Sequence, residues 1–80
     1  MTYEQAESML LKKNPGRAVS EAAEYDKNNF VMVLKDPGEK ERNNDDPNFL
    51  VNKKTGSIKQ FNPASVIDTF LDAFDNRRIK

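Results

Sequence analysis

The chain has 80 residues, with thirteen Lys plus Arg against thirteen Asp plus Glu for a formal net charge of zero, 36% hydrophobic residues, and no His, Cys or Trp. That inventory excludes thiolate nucleophiles, Cys/His zinc sites and histidine bases, and with them the familiar catalytic triads. It describes a single domain over residues 1–80 with a small core and no global charge to attract nucleic acid.

Thr2 followed by Gln5 is a capping-box pattern, and it opens a helix expected over about Tyr3 to Lys13. Tyr3, Ala6, Met9 and Leu10 recur at helical spacing, with Glu4 and Glu7 near the positive end and Lys12 and Lys13 near the negative end. Asn14-Pro15-Gly16 stops the helix, because the residue before proline disfavours helical angles. Residues 17–25 carry both signals. Ser20-Glu21-Ala22-Ala23-Glu24 favours helix by propensity, whereas the short span between a Pro-Gly break and the turn Asp26-Lys27-Asn28-Asn29 favours strand, and strand is the reading adopted.

Phe30-Val31-Met32-Val33-Leu34 is a continuous apolar run expected as a central strand, covered on at least one face. Asp36-Pro37-Gly38 ends it, and Glu39 to Pro47 holds no apolar residue, as a solvated loop would. Phe49-Leu50-Val51 and Ser57-Ile58-Lys59-Gln60-Phe61 then read as a hairpin turning at Lys53-Lys54-Thr55-Gly56. Asn62-Pro63 starts a last helix running to about Asn76. Val66, Ile67, Phe70, Leu71 and Phe74 form its apolar stripe, opposite Asp68, Asp72 and Asp75. The expected fold is α+β: an N-terminal helix, a three- to four-stranded antiparallel meander and a C-terminal amphipathic helix, with both helices on one face of the sheet.

Asn14-Pro15-Gly16, the extended pair after it, and Asp46-Pro47-Asn48-Phe49-Leu50-Val51-Asn52-Lys53-Lys54-Thr55-Gly56-Ser57-Ile58 together resemble the YrhB-type immunity-protein family, whose final half has a similar strand, Thr/Ser-Gly turn, strand and amphipathic helix. The helix, Pro-Gly break and Thr-Gly hairpin from Glu4 to Ile58 are similar, more weakly, to PepSY-like domains. The whole pattern also resembles small proteins encoded in phages and prophages. These resemblances imply toxin neutralisation or protease inhibition, in either case binding to another protein.

The residues themselves offer two candidate surfaces. Asp68, Asp72 and Asp75 make an acidic ridge on the last helix, and with Glu39, Glu41, Asp45 and Asp46 they would present a charged face to a basic protein partner. Lys35, Lys53, Lys54 and Lys59 with Phe61 are the alternative, a basic and partly aromatic sheet face for single-stranded nucleic acid, which the neutral total disfavours. Thr55-Gly56 is a turn requirement rather than chemistry, and Asn43, Asn44, Asp45, Asp46 and Asn48 lack the spacing of a calcium loop. No catalytic residue, metal ligand or cofactor is expected. No apolar run approaches the roughly 18 residues of a membrane span, and Met1 to Gln5 has no signal-peptide character. The resulting expectation is a cytoplasmic, non-enzymatic protein that binds and occludes another protein, as a monomer or weak homodimer. A structural component of a phage particle, with a free strand edge or helix face completed by neighbouring subunits, is the second reading.

Overall fold

The structure, a computed structural model, describes residues 1–38 and 47–80. Helix α1 (Tyr3–Lys13) is followed by strands β1 (Ala18–Glu24), β2 (Asn29–Lys35), β3 (Asn48–Asn52) and β4 (Ile58–Phe61), a 3-10 turn (Pro63–Val66) and helix α2 (Ile67–Asn76). The four strands form one antiparallel sheet in the order β1-β2-β3-β4. The α+β class and the order of elements therefore agree with the sequence, and residues 18–24 are strand.

Local chemistry sets the boundaries. The Thr2 hydroxyl accepts from the Gln5 amide nitrogen at 3.2 Å, and the Gln5 side chain accepts from the Thr2 nitrogen at 2.9 Å, a complete capping box. At the β3–β4 turn the Asn52 carboxamide accepts from the backbone of Lys54 and Thr55, both at 2.9 Å. Gly56 takes φ +75° there, and its missing Cβ leaves room for the Met9 methyl, which would stand only 2.8 Å from that atom.

The helices do not share a face of the sheet. Phe30, Met32 and Leu34 point to one side, where they pack with Val19, Ala22, Phe49 and Val51 beneath Ala6 and Leu10 of α1. Val31 and Val33 point to the other side and pack with Ala23 against Phe70, Ala73 and Phe74 of α2. All five residues from Phe30 to Leu34 are buried. Successive strand side chains alternate between faces, so an unbroken apolar run needs cover on both, and one helix supplies each side.

Strand β1 meets this two-sided demand through an irregularity. Its pairing with β2 slips between Val19 and Glu21, leaving Ser20 outside the register. The extra residue brings Val19 and Ala22, three positions apart, to the same face, while the Ser20 hydroxyl donates to the Val33 carbonyl at 3.1 Å. The outer edge of β1 is closed by the chain's own end. The Ala22 nitrogen donates to the Lys80 carbonyl, the Glu24 nitrogen donates to the Arg77 carbonyl, and the Ile79 nitrogen returns to the Ala22 carbonyl, at 2.8–3.0 Å. Arg77 also donates from its guanidinium to the carbonyls of Glu24 and Tyr25, and Arg78 lies 5.2 Å from the Phe74 ring centroid. The sequence alone does not anticipate this terminal strand-like segment, because Arg77-Arg78-Ile79-Lys80, with one apolar residue among three charged ones, is too short to show hydrophobic alternation.

Candidate functional site

Helix α2 places the acidic residues and corrects the extent of its apolar stripe. Only Phe70, Ala73 and Phe74 are buried; Val66, Ile67 and Leu71 are 39%, 45% and 50% exposed. The reason is geometric. Ile67 and Leu71 follow the buried line by roughly one step around the helix at 100° per residue, and a four-stranded sheet is wide enough to cover only the middle of an arc this broad. The breadth of that apolar arc, wider than one helix needs to rest on a small sheet, was the sequence signal for exposed apolar residues.

Asp68 and Asp75 border Ile67 and Leu71 on the helix surface, one helical step further out. Neither makes an ion pair among the described residues. Asp72 is engaged locally: its Oδ2 lies 3.0 Å from the Arg77 guanidinium, and its Oδ1 accepts from Asn76 at 2.7 Å. The outer side of α2 thus presents two neighbouring apolar side chains beside two uncompensated carboxylates. The other four acidic candidates, Glu39, Glu41, Asp45 and Asp46, lie outside the described residues.

The basic candidates are dispersed. Lys35 ends β2 opposite Ala18, whereas Lys53 and Lys54 sit in the turn beyond Asn52, which pairs with Asn29 at the other end of β2. Lys53 is occupied: its Nζ lies 2.9 Å from Glu24 Oε1 and 5.0 Å from the centroid of the Phe30 ring. Lys59 and Phe61 share the α2 side of β4. Phe61 is half-buried, with edge-on ring contacts to Tyr25 at 5.7 Å and Phe70 at 6.3 Å, so its ring is committed to the packing under α2. A stacking platform for bases needs an open ring face close to several cations, and these five residues do not assemble into one.

Surface depressions occur on the outer side of α1, lined by Glu4, Glu7, Ser8, Leu11 and Lys12 and by Met1, Gln5 and Met9. They are wide open and lie between ordinary helix-surface side chains, unlike the enclosed clefts in which small ligands are buried. Among the described residues no three His, Cys, Asp or Glu gather to hold a metal ion, and no helix is long and apolar enough to cross a membrane. Comparison with protein-family models, curated proteins and solved structures gives no match.

Proposed function

We propose that this is a non-enzymatic protein-binding module, immunity-like or inhibitory and acting in the cytoplasm of a bacterium or on behalf of its phage, that occludes a surface of its partner. The observation that supports the reading is the outer side of α2, where Ile67 and Leu71 are half-exposed next to Asp68 and Asp75. Apolar residues at the centre of a contact supply desolvation energy, and unpaired charges at its rim supply orientation and encounter rate. A partner suited to this surface has an apolar patch edged by Lys or Arg. The resemblance to immunity proteins leads to the same reading, and a surface contact requires none of the histidine or cysteine chemistry that the chain lacks.

The test is affinity capture with the wild-type chain and with a Leu71→Lys, Asp68→Lys double variant. Both positions are exposed, and with Asp68 in the first turn of α2 the charge reversal is expected to cost about 1 kcal/mol while the chain stays folded, which circular dichroism checks. A single stoichiometric protein retained by wild type, weakened by salt and lost with the variant is the expected result. Recovery of no stoichiometric protein by wild type at low and moderate salt overturns the proposal.

A further inference from the structure

The two edges of the sheet are treated differently. The edge of β1 is bulged and closed by Arg77 to Lys80, whereas β4 pairs with β3 in unbroken register and, among the described residues, has no strand on its other side. The Asn52 nitrogen donates to the Ser57 carbonyl at 2.9 Å. That bond sets the alternation along β4: residues 57, 59 and 61 turn their backbone groups to β3, and Ile58 and Gln60 turn theirs outward. Proline, a bulge or a covering loop would blunt such an edge. Among the described residues β4 has none of these, and Lys59 is its one charge.

We propose that β4 is completed by a second copy of this chain, antiparallel across a two-fold axis at Gln60, to form an eight-stranded sheet. The strand is complementary to itself in that register. Gln60 meets Gln60 of the second copy, Ile58 meets its Asn62, and Lys59 lies opposite its Phe61, a half-buried ring along which the lysine stem can rest. Centring the axis on Lys59 instead would set two ammonium groups face to face, a destabilising pair. A formal net charge of zero leaves no overall repulsion between copies. Strands of four residues bury less than the roughly 800 Å² per partner of a standard interface, so the dimer forms in a concentration-dependent way. This inference is independent of the α2 reading, since β4 pairing uses backbone groups and α2 binding uses side chains.

Because the chain has no cysteine, Gln60→Cys gives a clean readout. Directly opposed residues in a hydrogen-bonded antiparallel pair have Cα atoms about 5.5 Å apart, within disulfide range. Gln60→Cys is expected to give at least tenfold more disulfide-linked dimer under mild oxidation than Thr69→Cys, an exposed control on α2. Sedimentation equilibrium of the wild-type chain is expected to show a monomer–dimer equilibrium, with association weakened at least tenfold by Gln60→Pro, which removes an outward N–H that has no partner in the monomer. A wild-type chain that stays monomeric to millimolar concentration overturns the proposal. Equal cross-linking of the two cysteine variants does so as well, and remains decisive if Gln60→Pro fails to fold.

Discussion

At the scale of single residues, Tyr3 shows how burial and charge act on one side chain. Its ring meets Phe30 edge-on at 5.6 Å, while its hydroxyl is buried without a hydrogen-bond partner. Desolvation first, and then Glu7 and Glu4, push the phenol up to about 12 from an ordinary value of 10.0. The neutral form is therefore favoured in the folded state. Stability from this source is complete below pH 10 and is lost as pH rises from there through about 12, because the unfolded chain releases the proton first. Tyr3→Phe keeps the ring contact and removes the unsatisfied hydroxyl, so it is expected to leave stability unchanged or raise it by up to about 1 kcal/mol near neutral pH. Denaturant titrations near pH 9 and pH 11 check both parts: the variant should lose less stability than wild type across that interval.

At the scale of elements, the C-terminal segment matters more than its composition suggests. Arg77 caps α2, supplies a backbone partner to Glu24 and bonds two carbonyls with its guanidinium, while Lys80 pairs with the Ala22 backbone and sends its ammonium to Glu7 at 3.1 Å. The exposed ion pairs are worth little individually, so the backbone pairing along β1 carries the effect. Deleting residues 77–80 is expected to lower stability by about 2 kcal/mol or more and to speed amide exchange at Ala22 and Glu24, as measured by hydrogen exchange. It also exposes the β1 edge, so more aggregation is expected, visible by light scattering. Unchanged exchange at those two amides would show that the segment is not held to the strand.

At the scale of the whole molecule, the sheet separates two apolar clusters. Leu10 belongs to the α1 side and Phe74 to the α2 side, and no residue is shared between the two groups. Volume-reducing substitutions such as Leu10→Val and Phe74→Leu are each expected to cost about 1 kcal/mol, and the double variant should equal their sum within about 0.5 kcal/mol. Chemical denaturation of the four-member cycle measures this. Coupling above that limit would argue for a single core beneath both helices, the arrangement expected from sequence and not found. The same layout explains why α2 has a free side: among the described residues no second helix lies on its face of the sheet to cover Ile67 and Leu71.

Local signals in the sequence determined the elements. The Thr2–Gln5 box, Asn14-Pro15-Gly16, the run Phe30 to Leu34, the Gly56 turn and Asn62-Pro63 each act within a few residues, so they could be read without knowing the rest of the chain. They also brought Asp68, Asp72 and Asp75 to one side of one helix, because helical periodicity alone does that. Tertiary structure decided what depends on distant partners: which side of the sheet each helix takes, the slip at Ser20 that realigns β1, the docking of Arg77 to Lys80 on a strand more than fifty positions earlier, and the limited width of sheet available to α2. That last fact leaves Ile67 and Leu71 in solvent beside unpaired carboxylates. A hydrophobic pattern specifies which residues seek burial; only the area available in the assembled fold determines which of them obtain it.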